Sequence, residues 1–416
     1  MAHLPQVIII GGGFAGLAAA RRLKNVECEV TIIDRHNHHV FQPLLYQVAT
    51  AGLSPGDIAS PIRWILRKQP RLRVLLARVE RIDPIAKRVA LDGGDAVPYD
   101  YLIVAAGTTH SYFGHDDWAA AAPGLKTLDD ALSIRRRLLL AFEEAEREPN
   151  PVYQRRLLTF VLIGGGPTGV EMAGALGEIA RHALNTEFDA VDPAIARIIL
   201  IEAGPSILPA FPEDLRASAH KALLRLGVDV RVGKAVTRVE EGAVWIGEDR
   251  IDAHNILWAA GVAAAPISRD LGPNLDRAGR VIVEPDLSVP TRPEIFVAGD
   301  LATFTHQTGK PLPGVAQVAK QQGRHAAANI ARLIAGTKTT TFRYFDPGNM
   351  ATIGRNAAIA DFGFLHVSGY PGWLLWLFVH IMFLIGFRNR VSVMLQWAAA
   401  YLTYQRSVRL ITRNTS

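Results

Sequence analysis

Apolar residues along the chain gather into short unbroken runs, and two of those runs open onto glycines. Residues 7–10 are Val-Ile-Ile-Ile, followed by Gly11, Gly12 and Gly13 and then by small residues through 23. That order predicts a buried strand, a tight turn and a helix over 17–23, because a continuous apolar run suits a strand covered on both faces. A second strand follows at 29–33 and ends at Asp34. Residues 160–169 (FVLIGGGPTG) repeat 7–16 (VIIIGGGFAG) at a separation of 153 residues, a domain-scale duplication and no solenoid period. After the first copy come a proline-containing loop (41–61), β-like alternation over 74–91 that predicts a small sheet, and a buried strand at 101–105. A charged helix is expected over 128–147, then a hinge at Pro149-Asn150-Pro151. The second copy continues with a strand at 196–201 ending at Glu202, a helix near 215–226 and strands up to 257. A second hinge is expected at 281–293, a returning strand at 295–300 and a helix over 315–335; residues 342–416 differ in character.

Length and composition narrow the classes. At 416 residues the chain has room for two or three domains. With 49% hydrophobic and 20% charged residues it is globular, which excludes wholesale disorder and fibrous repeats. The net charge of +6 is too small to indicate a nucleic-acid binder. Cys28 is the single cysteine, so an internal disulfide, a Cys-x-x-Cys pair and a Cys-rich metal site are excluded, and no metal is expected. The start of the chain lacks the basic region and 7–15 apolar residues of a signal peptide, so secretion is not expected.

The two glycine turns carry the first chemistry. In Gly-x-Gly-x-x-Gly, Gly11 permits the tight turn, Gly13 lets the backbone approach a pyrophosphate, and Gly16 lets the helix pack on the strand. The free N–H groups of the helix start then face the phosphates. Asp34, 18 residues after Gly16, is placed to accept from ribose hydroxyls. Gly164, Gly166 and Gly169 repeat the pattern around Pro167 and Thr168. Its acid, Glu202, follows Gly169 by 33 residues, which implies extra helix or loop through 185–193. Glu202 would repel a 2′-phosphate and no Arg follows it closely, so NADH is favoured over NADPH.

Two dinucleotide sites in one chain resemble the two-dinucleotide-binding flavoproteins, in which one domain holds FAD and the other a nicotinamide cofactor. Residues 101–107 (YLIVAAG) and 291–300 (TRPEIFVAGD) fit that family, the latter placing Asp300 on the flavin's ribityl chain, although such an acid could equally be a helix cap. Within it the chain resembles the type II NADH:quinone oxidoreductases through 41–49 (FQPLLYQVA), 110–118 (HSYFGHDDW), 316–321 (AQVAKQ) and 386–390 (GFRNR). Many members carry Glu where Asp34 stands, and no EF-hand loop is present. The resemblance implies two Rossmann-like domains in an α/β fold, FAD in 1–120 with 292–342 and NADH in 121–291, plus a membrane-anchoring helical segment in 343–416. It implies that Gly11, Gly12, Gly13, Phe14, Ala15, Gly16, Asp34, Arg35, Gln42, Val79, Ala106, Gly107, Asp300, Ala316 and Gln317 hold FAD. Gly164, Gly165, Gly166, Thr168, Gly169, Val170, Glu171, Glu202, Ala260 and Gly261 are the corresponding expectation for NADH.

The cysteine count then selects among the family's chemistries. Disulfide reductases and sulfide:quinone reductases of this fold work through cysteines, and Cys28 lies far from either role. Electrons must therefore leave the flavin directly for an external acceptor. Glu171 is either a first-turn acid in the helix dipole or a carboxylate delivering protons near the nicotinamide and quinone. Gln317 and Gln321 share a helix face; surface solvation is the plain reading, and the resemblance instead sets Gln317 beside the flavin ring and the quinone, with Gln321 as its catalytic partner.

From 362 to 416 there are five arginines (Arg388, Arg390, Arg406, Arg409, Arg413) and no Asp, Glu or Lys, so the tail holds +5 of the +6. Residues 372–386 are uncharged apart from His380, to which no catalytic role is assigned; as a helix they reach roughly 22 Å, short of a ~30 Å hydrocarbon core. With Trp373, Trp376, Trp397, Tyr401 and Tyr404, and a second apolar run at 391–402, the tail reads as an interfacial anchor through 372–416. A buried helix pair or a dimer interface are the plainer alternatives, and a homodimer is compatible with the whole reading. The expectation is a peripheral enzyme on the cytoplasmic face, passing a hydride from NADH to FAD and two electrons to a membrane quinone without pumping protons. Two other readings share the fold: a soluble ferredoxin- or rubredoxin-type reductase, which would lack the tail, and a non-enzymatic NADH sensor resembling apoptosis-inducing factor.

Overall fold

The structure, a computed structural model, describes residues 4–184, 187–403 and 408–411. Tyr404, Arg406 and Arg413 of the tail, and residues 185 and 186 of the second domain's long connection, lie outside the described residues. Two compact units form. The first takes the described part of Met1–His39 with Ala59–Thr109 and Val262–Pro347; the second takes Val40–Ile58, His110–Gly261 and the described part of Gly348–Ser416. Residues 40–58 and 110–120 thus pack within the second unit, and 262–291 within the first.

In the first unit five parallel strands and an antiparallel edge make one sheet, in the order Ser288–Val289, Arg292–Val297, Tyr101–Val104, Gln6–Ile10, Glu29–Asp34, Leu72–Leu76. Val7 to Ile10 are buried throughout, as an apolar run in the middle of a covered parallel sheet should be. The helix Phe14–Arg22 lies against Ala316–Ile334, and the approach is close enough that a Cβ on Gly323 would strike the Ala15 carbonyl. The alternation over 74–91 divides: Leu72–Leu76 joins the parallel sheet, while Val79–Asp83, Arg88–Leu91 and Ala96–Pro98 form the small antiparallel one. The hinge expected at 281–293 is instead ordered sheet, with Val281–Ile282 paired to Ala302–Thr303 and Ser288–Val289 on the main sheet's edge.

The second unit repeats the parallel core with Val228–Val232, Arg197–Glu202, Thr159–Ile163 and Asn255–Trp258. The helix Leu128–Arg147 starts at a capping box, where Thr127 and Asp130 exchange side-chain and backbone hydrogen bonds, and it buries Ile134, Leu138 and Phe142. The hinge at 149–151 is a helix start, since the Asn150 side chain accepts from Val152 N and Pro151 sits at the first helical position. Residues 41–61, read as a loop, hold the short helices Leu45–Ala49 and Pro55–Ile58; the punctuation of three prolines concealed an apolar segment that is buried at Leu44, Leu45, Tyr46, Val48 and Ala49. The extra length before Glu202 begins as a π-helical turn, Ile179–Ala183, continuing the helix Pro167–Glu178.

The C-terminal region starts as a three-stranded antiparallel sheet, Asn349–Gly354, Ala357–Asp361 and His366–Ser368. Two helices follow, Gly369–Phe383 and Phe387–Thr403, joined where Arg390 Nε donates to the Leu384 carbonyl at 2.9 Å. No described helix is long and apolar enough to cross a membrane. The sheet is gripped by helices on both sides: a Cβ on Gly174 would strike the Ile353 carbonyl, and one on Gly372 would meet the Ala358 carbonyl at 2.7 Å. Gly174→Ala should therefore cost on the order of 1–3 kcal/mol of overpacking and lower the thermal melting temperature. Gly56→Ala, whose Cβ enters open space, should leave it unchanged, and equal melting of the two variants would contradict this packing.

Candidate active site: two nucleotide turns and an aromatic cavity

The first turn is held by its own backbone and by one carboxylate. Gly11 N donates to the Ile33 carbonyl at 2.8 Å, and Gly12 N donates to Asp34 Oδ2 at 2.6 Å. Asp34 Oδ1 accepts from His36 N, so the acid both shapes the turn and keeps lone pairs for a ribose. Gly11 sits at φ +99°, and any side chain there or on Gly16 would run into backbone, at Ala105 and at Gly11 respectively. Gly13 differs: a Cβ there meets nothing within 4 Å, so its face is open to a ligand. Ala15, Ala105, Ala298 and Ala319 pack together with Phe14, which brings 105–107, the Asp300 turn and the start of Ala316–Ile334 to the same place. Thr108 Oγ1 lies 3.5 Å from Asp300 Oδ2.

His39 was missed by sequence reading. It is buried, its Nδ1 donates to the Gly12 carbonyl at 3.0 Å, and burial pushes its pKa down to about 4. Its Nε2, then a bare acceptor, has no partner among the described residues. An orphaned acceptor beside the turn, an open Gly13 face and a carboxylate with spare lone pairs fit the hydroxyl-rich adenosine and pyrophosphate of FAD. Of the other expected residues, Arg35 is exposed, Val79 opens the antiparallel sheet, Ala316 and Gln317 are half-buried, and Gln42 is an exposed residue of the second unit. Gln321 is committed elsewhere: its amide donates to the Phe345 carbonyl at 2.8 Å and accepts from Phe345 N at 3.0 Å.

The second turn copies the first atom for atom. Gly164 N donates to the Ile201 carbonyl at 2.8 Å, and Gly165 N donates to Glu202 Oε2 at 2.6 Å. Glu202 Oε1 accepts from Gly204 N. Gly164 stands at φ +114° against the backbone of Ala259 and Ala260, Gly169 abuts the Gly164 carbonyl, and Gly166 is open as Gly13 is. Thr168 is half-buried at the helix start and Val170 fully buried behind it. Gly261, at φ +74°, faces the Phe113 ring. The anionic Glu202 beside this turn disfavours a 2′-phosphate.

A cavity of about 130 Å³ lies within the second unit. One stripe of the chain supplies a wall: Glu171, Ala175, Glu178 and His182 recur at helical spacing. Tyr46, Gln47 and Thr50 come from the segment taken for a loop, Thr352 and Arg355 from the hairpin, and Trp373, Trp376, Trp397 and Tyr401 from the tail. Glu171 is half-buried in this wall with Thr352 N at 3.5 Å; desolvation pushes its pKa up to about 8, against a small opposing pull from that N–H. Glu178 accepts from Arg355 N, and the Arg355 guanidinium lies 4.2 Å from the Tyr401 ring centroid. His380 donates from Nδ1 to the Trp376 carbonyl at 2.7 Å and stacks on the Trp376 ring; burial lowers its pKa to about 4, so it is neutral.

The tail therefore differs from its expected pattern. Trp376, only 2% exposed, and Trp397, whose indole bonds Gln47, wall the cavity instead of lying at a lipid headgroup. Arg390 turns to the Leu384 carbonyl, and Arg409 pairs with Glu187 and donates to the Ala183 carbonyl at 2.9 Å. Arg388 is exposed. On the opposite side of Gly369–Phe383, Tyr370, Leu374, Phe378 and Met382 form an exposed stripe at four-residue spacing.

Residues 5–323 match the family described as pyridine nucleotide-disulphide oxidoreductase, and 347–406 match the NDH2 C-terminal domain. The chain is 44% identical to the type II NADH:quinone oxidoreductase Ndh of Mycobacterium tuberculosis, over 98% of this chain and 90% of that protein. It is 44% identical to NdhA of the same organism over 98% and 89%. The structure of NDH2 from Plasmodium falciparum in complex with NADH has the same fold, with a TM-score of 0.89 at 19% identity, covering 99% of this chain and 100% of that one. With both glycine turns, the cavity and the C-terminal domain in one chain, this protein belongs to the type II NADH:quinone oxidoreductases.

Proposed function

We propose that this chain oxidises NADH at the second unit's glycine turn, holds FAD at the first unit's turn, and receives a membrane quinone in the aromatic cavity. FAD held at the first turn would supply the two-electron chemistry that links a hydride donor to a quinone acceptor. Gly11 to Gly16, Asp34, Ala106, Gly107, Asp300 and Gln317 bind it; Gly164 to Gly169, Glu202, Ala260 and Gly261 bind NADH. Gln321 holds the irregular segment after 342 in place through Phe345. The observation that carries the reading is Glu171. NADH yields one proton with its electron pair, whereas a quinone becoming quinol takes two, so one proton must come from water. A carboxyl with a pKa near 8 still holds that proton at neutral pH and can release it to an oxygen gaining charge.

The tail attaches the enzyme to the lipid surface. Tyr370, Leu374, Phe378 and Met382, with Met394 and Leu395 on the next helix, are exposed apolar residues on helices too short to span, which suits a helix lying in the interface. A lipophilic acceptor then reaches the cavity from the bilayer, on the cytoplasmic face where NADH is available.

Three measurements test this. Glu171 is protonated below pH 8 and ionised above it, so flavin reoxidation by quinone should slow as pH rises through about 8. Glu171→Gln should lower quinone turnover by about 100-fold, remove that pH limb, and leave flavin bleaching by NADH intact; a wild-type profile flat through pH 8 would refute the role. Gly13→Ala should fold normally yet be isolated with less FAD per protein, whereas Gly16→Ala should lose thermal stability as well; full FAD content in Gly13→Ala would remove the cradle. Replacing Leu374, Phe378 and Met382 together by Ser removes about 1.5–3 kcal/mol of lipid burial each and should move the protein from liposomes to the soluble fraction. Retention on liposomes would place the anchor elsewhere.

A further inference from the structure

A hydrogen-bond chain in the cavity wall has its direction fixed at one end. The Trp397 indole Nε1 donates to Gln47 Oε1 at 2.8 Å, and Gln47 Nε2 donates to the Tyr46 hydroxyl at 2.9 Å. An indole nitrogen can only donate. The Gln47 atom facing it must therefore be the carbonyl oxygen, which turns the amide NH₂ toward Tyr46 and makes the Tyr46 oxygen an acceptor on that side. The hydroxyl proton of Tyr46 is thereby directed away from Gln47. Tyr46 is 6% exposed, and it lines the cavity together with Gln47 and Trp397.

What holds Trp397 is a buried carboxylate one position away. Asp57, 6% exposed, accepts from Ser54 N at 2.8 Å and Ser54 Oγ at 2.7 Å on its own segment. It also accepts from Ser392 Oγ at 2.9 Å and Gln396 Nε2 at 3.0 Å on the helix Phe387–Thr403. A buried anion satisfied from both sides is costly to separate from its donors. Asp57 thus clamps the last described helix where Trp397, the residue after Gln396, meets Gln47, and the Trp376 ring at 5.4 Å backs the indole.

We propose that Tyr46 donates a hydrogen bond to a carbonyl oxygen of the quinone, and that Trp397, acting through Gln47, is the positioning residue that orients this donor. The inference rests on the cavity being the quinone site. No proton is transferred from Tyr46; its hydrogen bond strengthens as the carbonyl oxygen gains negative charge, which favours the electron transfer. Because the donor's direction is set by a residue of the tail, quinone reduction depends on that helix being docked.

The test uses full-length, FAD-loaded enzyme with a short-chain ubiquinone analogue, and with ferricyanide, an acceptor that needs no carbonyl hydrogen bond. Tyr46→Phe should lower the ratio of quinone to ferricyanide turnover by about 10- to 100-fold, the loss expected for a hydrogen bond to a charged oxygen. Trp397→Phe should lower the same ratio, and the double variant should be no worse than Tyr46→Phe alone. Gln47→Glu keeps the size but offers only acceptors, so Tyr46 would donate to Glu and the ratio should fall as in Tyr46→Phe, even if Trp397→Phe does not fold. An unchanged ratio in Tyr46→Phe and Gln47→Glu, or losses that multiply in the double variant, would overturn the inference. Wild-type enzyme reducing ferricyanide but no quinone would instead overturn the functional reading beneath it.

Discussion

The helix Pro167–Glu178 meets two backbone carbonyls that leave no room for a side chain: that of Gly164 at Gly169, and that of Ile353 at Gly174. Glycine at both positions lets one rigid rod touch the nucleotide turn at its start and the C-terminal hairpin in its middle. Glu171 lies between those contacts, so its carboxyl cannot drift with the helix. The π-helical turn that follows, Ile179–Ala183, shifts the register and keeps His182 on the cavity side, a use of the extra residue in keeping with where such turns occur. Dinucleotide binding, cavity shape and the environment of the one strongly perturbed carboxyl in that wall are consequences of the same packing.

Each glycine turn also depends on an acid that does two jobs. Asp34 and Glu202 stand at the ends of their second strands, and in both copies a carboxylate oxygen accepts from the middle glycine's N–H at 2.6 Å. A charge-assisted bond to backbone is stronger than a neutral one, so the acid proposed to meet the ribose also fixes the glycine loop. Asp in one copy and Glu in the other reach the same atom, and in both the second oxygen accepts from the N–H two residues on, that of His36 and that of Gly204.

The parts of the site legible in the sequence were those with a local cause. The glycine turns follow from backbone sterics within a few residues and their acids from the strand that comes next, whereas Glu171 stayed open between a first-turn acid and a proton carrier; the structure brings Gly164, the Ala260 backbone and, through Gly165, Glu202 together. The tail was legible in composition and illegible in orientation. Arginines without acids and abundant tryptophan describe a lipid-facing helix, yet Trp376, Trp397, Arg390 and Arg409 turn to protein. Asp57 meets Ser392 and Gln396 across more than 330 residues, and Arg409 meets Ala183 across 226. No spacing rule connects residues so far apart. Residues 41–61 were hidden for a different reason: prolines at 43, 55 and 61 punctuate helices of four or five residues, too short to show a helical period.

One helix both walls the cavity and carries an exposed apolar stripe. Along Gly369–Phe383, Gly372, Trp376 and His380 recur every four residues toward the protein, continued by buried Leu384, while Tyr370, Leu374, Phe378 and Met382 recur at the same interval and are exposed or nearly so. The two stripes are offset by two residues, close to half a turn, so they lie on opposite faces. A helix of 15 residues thus walls an enclosed cavity on one face and presents an apolar stripe on the other. The raised pKa of Glu171 comes first from desolvation, and part of the wall that withholds water from it is Trp373, Trp376, Trp397 and Tyr401. Lifting those side chains away would admit water to the carboxyl and return it toward the ordinary carboxylate range. The exposed apolar stripe and the desolvation of Glu171 are thus two effects of the same docked helices, and neither can be altered far without the other.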